Sequence, residues 1–262
     1  METAKPVIVK ESPKDKYLII FDAGHGINTK GKRTPFFEDG SFMKEWEFNI
    51  DVARRCVKLC QDAGFETVLL NPEEMDLPLS SRSKRENRLF LEAKEKGKTP
   101  IFISIHANGH GNDNQWNSAK GVVTLHQPIT PRSEFIRTLS KEIKGKIKEL
   151  DKEDKFYAEK YDDIIRPEIH RRVQGKVLAG EIQKVLVRET KLHDRAFTMA
   201  RDTSVPQNLH ITRETKSIAA LVECGFMTNK VEAALQRTDD FRRICAESTV
   251  EGTFNYIKIL EI

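Results

Sequence analysis

Apolar positions along this chain fall into two textures, short runs with few polar interruptions and longer stretches where they recur every three or four residues. Tyr17-Leu-Ile-Ile-Phe21, Pro100-Ile-Phe-Ile-Ser-Ile105 and Ile218-Ala-Ala-Leu-Val222 are runs of the first kind. Their length predicts strands buried on both faces of a sheet. Phe65-Glu-Thr-Val-Leu-Leu70 and Gly121-Val-Val-Thr-Leu125 read as two more strands. Glu45 to Gln61 carries Ile50, Ala53, Val57 and Cys60 at helical spacing, and Arg82 to Lys96 carries Leu89, Phe90 and Ala93 on one side. Gly64 stops the first of these helices before the next strand begins. Helices alternating with apolar strands predict an α/β fold, a mostly parallel twisted sheet covered by helices on both faces. Its site is expected at the carboxyl ends of the strands.

Past Gln127 the texture changes. Ser133 to Arg172 is long and charged, with Phe135, Leu139, Ile143 and Ile147 at helical spacing. Within it, Asp151 to Asp163 is mostly charge with Phe156, Tyr157 and Tyr161 interleaved, the pattern of a solvated helix face. Val177 to Val187 resumes an ordinary amphipathic helix, and Lys230 to Ile262 supplies one or two closing helices. No Gly/Ser-rich or Pro-rich break interrupts the 262 residues, a length that one large α/β domain fills. Residues 1–16 are polar and read as a tail ahead of a single domain spanning 17–262.

Charge narrows the choice of partner. An excess of 44 basic over 40 acidic residues is too small to argue for nucleic acid and suits an anionic polymer no more than it suits an ordinary soluble protein. No apolar run approaches the length that spans a bilayer, and Met1 to Lys16 lacks the apolar centre of a signal peptide. The four cysteines form no C-x-x-C pair, so buried reduced thiols are expected rather than disulfides or a thiolate metal site.

The chemistry sits where the apolar runs end. Asp22-Ala-Gly-His-Gly26 follows the first strand, Ser104-Ile-His-Ala-Asn108 closes the third, and Leu221-Val-Glu-Cys-Gly-Phe226 closes the last. A catalytic zinc takes three ligands from histidine and carboxylate and keeps one position for water. His25 and His106 supply two; Glu45 and Glu47, near the start of a helix, are both candidates for the third, and spacing does not choose between them. Water acidified toward a pKa of about 7 is a usable nucleophile, and Glu223 is placed to take its proton and return it to a leaving amine. His110, His126, His170, His193 and His210 have no such context and read as surface or neighbouring histidines.

As a set, these segments resemble the zinc-dependent N-acetylmuramoyl-L-alanine amidases. The resemblance runs in order from about Leu18 to Asn229. It takes in Asp22-Ala-Gly-His-Gly26, Glu45 with Asn49-Ile50, Ser104-Ile-His-Ala-Asn108, Gly121 and its strand, Leu178-Ala179 with Glu181-Ile182, Leu209 to Thr215, and Leu221-Val-Glu-Cys-Gly-Phe-Met-Thr-Asn229. It implies that His25, Glu45 and His106 bind one zinc ion and that Glu223 is the catalytic carboxylate. Glu45 is chosen over Glu47 because it stands four residues before Asn49. It also implies hydrolysis of the amide joining the lactyl group of N-acetylmuramic acid to L-alanine in peptidoglycan, by an autolysin or a phage endolysin. Asp22 is expected to orient a ligating imidazole, with Asn108 and Arg213 beside the ligands or the substrate.

Relative to the smallest members of that family, the chain carries an insertion at about 127–174. In some relatives an insertion here covers the zinc until an activator protein withdraws it. Glu159, Asp162 or Asp163 would play that part here by occupying the open metal position. With no leader in view, the enzyme is expected to reach the wall through release at lysis or after loss of a leader. Two alternatives remain, another zinc peptidase or deacylase on a related sheet, and an inactive wall-binding relative.

Overall fold

The protein is described from a computed structural model covering residues 13–111, 114–129, 139–150 and 157–262. A six-stranded sheet forms its centre. A short 3-10 turn, Pro13–Lys16, leads into β1 (Tyr17–Ala23), followed by α1 (Glu45–Asp62), β2 (Glu66–Leu69), α2 (Leu79–Glu95), β3 (Thr99–Asn108) and β4 (Val123–His126). Then come α3 (Lys141–Leu150), α4 (Tyr157–Thr190), α5 (Arg195–Ala200), β5 (Val205–Pro206), α6 (His210–Glu214), β6 (Ile218–Phe226), α7 (Lys230–Gln236) and α8 (Asp239–Leu260). The strand order is β2-β1-β3-β6-β4-β5, with every pairing parallel except that of β4 with β6.

The apolar runs are buried on both faces because alternate side chains enter different cores. Ile19, Phe21, Ile101 and Ile103 pack on one side with Val52 and Cys56 of α1, Leu178 and Leu186 of α4, and Phe241 and Tyr256 of α8. Leu18, Ile20, Phe102 and Leu221 pack on the other with Ala93 of α2 and Ile211 of α6. Each fully buried large aliphatic or aromatic side chain contributes about 1.5–3 kcal/mol. The two cores therefore anchor the sheet in the middle and leave its ends free to carry polar groups. Helices α4 and α8 meet so closely that a Cβ at Gly252 would lie 2.4 Å from the Ile182 Cα, which only glycine permits. All four cysteines are buried and reduced, as expected. No helix among the described residues is long and apolar enough to cross a membrane.

One boundary differs from expectation. The charged stretch and the amphipathic helix after it are not separate, since α4 runs unbroken for 34 residues through Pro167 and past Gln174. Its first part joins α3 in a small core of Leu139, Ile147 and Ile165. Lys216 pairs with Glu142 (2.9 Å), and the Lys141 N–H donates to Glu214 (3.2 Å), which fastens α3 to the segment leading into β6. The described part of the insertion thus packs near the amino end of β6.

Candidate active site

Each element of the site begins where an apolar strand gives out. Across β1 and β3, Asp22 stands opposite Ser104; across β3 and β6, His106 stands opposite Glu223. Ser104 and His106 are two residues apart on one strand, so both face the same side. Pairing continues through this point with an irregularity between His106 and Asn108, so both strands are longer than their apolar runs.

His25 sits in the loop after β1 with φ of 64°, a left-handed conformation that costs a side-chain-bearing residue about 1–2 kcal/mol. Its carbonyl accepts a hydrogen bond from Arg82 Nη2 at 2.6 Å, which holds the turn. Gly24 is required just before it, because a Cβ there would lie 2.2 Å from the His106 ring. The two imidazoles meet edge to face with centroids 5.1 Å apart.

Glu45 is the first residue of α1 and its side chain is buried between them. Its Oε2 lies 3.2 Å from His25 Nε2, and its Oε1 lies 3.0 Å from His106 Nδ1. Oε1 also accepts from Asn49 Nδ2 (3.2 Å) and the Ala107 N–H (3.3 Å), and Asn49 Nδ2 donates to the Gly24 carbonyl as well (3.0 Å). Glu47, two positions on, is exposed and instead accepts from the Lys44 N–H (3.2 Å), capping the helix. Burial alone would raise the Glu45 pKa, but hydrogen bonds with His106 and His25 outweigh it and hold the carboxyl well below the usual carboxylate range.

Glu223 is half-buried, yet its Oε2 is sealed from solvent and has no hydrogen-bond partner among the described residues. Burial pushes its pKa up to about 7, with His106 and Lys32 opposing the rise and Glu45 adding to it. His25, His106 and Glu223 border one cavity of about 420 Å³. A carboxyl poised near neutrality beside two imidazoles can exchange a proton in either direction.

The donor set fits a metal ion. One ring nitrogen from each histidine and a Glu45 oxygen lie within 4.8 Å of one another. The two Glu45 oxygens reach His25 Nε2 at 3.2 Å and His106 Nδ1 at 3.0 Å, one oxygen to each ring, so the carboxylate stands between both imidazoles. Two imidazoles and one carboxylate are a borderline-soft set of the kind that zinc takes.

Behind the ligands lies a group that the sequence pattern did not mark. Arg82, fully buried, spreads its guanidinium over Asp22 Oδ1 (2.9 Å), the Ala23 and His25 carbonyls, and Asp76 Oδ1 (2.7 Å). Asp22 accepts a second bond from Ser104 Oγ (2.6 Å). Asp22 was expected to orient a ligating imidazole from behind; its hydrogen bonds go to Arg82 and Ser104, and it reaches His25 through the loop that Arg82 holds. Asn108 borders the cavity and accepts the Gly109 N–H at 2.8 Å.

Other expected residues fall elsewhere. Arg213 pairs with Glu214 (3.0 Å) and Asn208 (2.9 Å), and borders a different cavity, of about 720 Å³. Asp163 lines that same cavity beside Thr99 and Pro100. Thr99 and His106 are seven residues apart along β3, roughly 23 Å at the rise of a strand. Asp163 therefore sits toward the amino end of the sheet and does not occupy the open metal position, which corrects that expectation. Glu159 and Asp162 lie in the first turns of α4, and their side chains are outside the described residues. His126, expected as a surface or neighbouring histidine, is buried in β4.

A family model described as N-acetylmuramoyl-L-alanine amidase (Amidase_3) matches residues 19–255. An uncharacterized cell wall amidase of Bacillus anthracis is 25% identical over 238 residues, covering 91% of this chain but 35% of that protein, so the chain spans about a third of that relative's length. A putative N-acetylmuramoyl-L-alanine amidase of Buchnera aphidicola is 24% identical over 249 residues, covering 92% of this chain and 94% of that one. The crystal structure of N-acetylmuramoyl-L-alanine amidase from Clostridium difficile 630 shares the fold, with a TM-score of 0.63 at 22% identity over 93% of this chain and 98% of that chain.

Proposed function

The chain belongs to the N-acetylmuramoyl-L-alanine amidase family, and on that premise we propose that it cleaves the amide between the lactyl group of N-acetylmuramic acid and L-alanine in peptidoglycan, with one zinc ion as cofactor. The observation that carries this reading is the cluster of His25, Glu45 and His106, whose two imidazoles border the same cavity as a Glu223 carboxyl that burial poises near pH 7. A zinc ion held by those three residues would supply Lewis acidity for the amide carbonyl and lower the pKa of water toward about 7. Glu223, which borders the same cavity, would accept the water proton and return it to the nitrogen that leaves with L-alanine. Glu45 accepts hydrogen bonds from Asn49 Nδ2 and the Ala107 N–H, donors that would stay in place beside a bound cation and keep the carboxylate ionised. Asn49 holds its carboxylate from one side while Arg82 fixes the turn that presents His25. The site of action is the cell wall.

The test is mass spectrometry of purified peptidoglycan incubated with the protein, first chelated and then resupplied with zinc. Zinc-dependent release of intact stem peptides beginning at L-alanine is the expected result. Shortened stems would replace the amidase reading with a zinc peptidase, and no release under either condition would indicate an inactive wall-binding relative.

A further inference from the structure

The cavity around Glu223 is bordered by two cations that the proton transfer does not use. Arg195 opens α5, its backbone N–H donating to the Val122 carbonyl at 3.2 Å. The carbon at the centre of its guanidinium lies 4.6 Å from the centroid of the Phe226 ring. An aromatic ring under the group orients it while its N–H donors, which lie in the guanidinium plane, remain available at the edges. Among the described residues, no carboxylate lies within ion-pairing distance of Arg195, and its side chain makes no hydrogen bond to the protein. Elsewhere, Arg55, Arg188 and Arg243 each engage two carboxylates. Lys32 borders the same cavity, is exposed, and forms no close ion pair among the described residues, acting on Glu223 only through its longer-range charge. Glu223 is the one acid among the described residues that line the cavity.

We propose that Arg195, with Lys32 as a second positive charge on the same cavity, binds a carboxylate on the peptide side of the scissile amide. The enzyme thereby favours stems carrying a free acid over stems whose acid is amidated. The assignment rests on the amidase reading above, which supplies a peptide with carboxylates to that cavity. A planar fork held on an aromatic face is suited to two parallel hydrogen bonds to one carboxylate, a geometry that an amide cannot reproduce with its single acceptor.

Calorimetric titration of the zinc-loaded protein with the dipeptide L-Ala-D-Glu and with its fully amidated form tests the proposal without requiring cleavage. The wild type is expected to bind the acid roughly tenfold more tightly, the ratio that one charge-assisted hydrogen-bonded pair supplies. In Arg195→Met that preference is expected to fall to within about twofold of none, with metal content and melting temperature unchanged. Should that variant fold poorly, Arg195→Gln carries the same comparison with a polar side chain. Equal binding of both peptides by the wild type, or a preference that survives in a folded variant, overturns the assignment; the second result would place the carboxylate on the metal instead. Stem release from whole peptidoglycan is read separately. A protein that prefers the acid through Arg195 but releases no stems retains the carboxylate site and loses the amidase reading.

Discussion

Arg82→Lys is the substitution that most directly tests how the metal ligands are held. Arg82 reaches Asp22, Asp76 and the carbonyls of Ala23 and His25 at once, from a position only 2% exposed. Lysine keeps the charge but offers one compact ammonium in place of a planar fork, so it cannot span acceptors on both sides of the turn. The turn it would release includes His25 at φ of 64°, which relaxes once its carbonyl loses its donor. Groups that orient metal ligands are worth about 10- to 100-fold in metal affinity, so zinc affinity should fall by that factor while the remaining charge keeps the domain folded. Arg82→Met is the harsher case. It strands the buried Asp22 carboxylate, whose loss of partner costs about 3–5 kcal/mol, roughly a fifth or more of the 5–15 kcal/mol typical of a domain. Competition against a fluorescent chelator measures the first effect, and urea unfolding at pH 7 the second. Wild-type zinc affinity in Arg82→Lys would refute the claim that Arg82 positions His25.

Three further outcomes follow from the same geometry. Glu223→Gln should retain zinc but slow stem release by about 10²- to 10⁴-fold, whereas His25→Ala should lose both; metal analysis beside a rate assay separates them. His126 is buried with no hydrogen-bond partner for Nδ1 among the described residues, and burial, reinforced by Lys176, pushes its pKa down to about 4. The neutral ring stabilises the fold fully above its unfolded pKa near 6.5, and that contribution, on the order of 3 kcal/mol, is lost as pH falls toward 4. Unfolding midpoints should therefore drop across that window in the wild type, and the part due to this ring should vanish in His126→Phe. Glu168→Ala removes the acid that faces Arg171 in a buried pair (2.7 Å), leaving that guanidinium its hydrogen bonds to the Thr212 and Ser217 carbonyls among the described residues. The expected loss is about 3–5 kcal/mol, seen as a lower melting temperature with unchanged turnover per folded molecule. Equal melting temperatures would show that the pair contributes nothing.

The elements that position the site were legible because their polar residues interrupt apolar runs. Asp22, Ser104 and Glu223 each stand in or just after a segment whose neighbours demand burial, and a polar group there has to be paired or functional. Glu45 and Glu47 were not separable by that argument, since a carboxylate is favoured anywhere in the first turn of a helix. Only the docking of α1 turns one toward the imidazoles and leaves the other to cap the chain.

Charges inside charged helices stay silent for the opposite reason. Glu168 with Arg171 and Arg172 has the spacing of a surface ion pair, and its cover comes from Pro128, Thr212 and Ser217, remote in sequence. Arg82 did leave a trace. It stands in the first turn of α2, where the positive end of the helix dipole disfavours a cation, and no acid occupies that turn. Such a residue must be held by negative charge from outside its helix, and here Asp22 near the end of β1 and Asp76 in the loop before α2 hold it. A cation at the wrong end of a helix therefore points to a buried partner even where hydrophobic spacing says only that the helix is amphipathic.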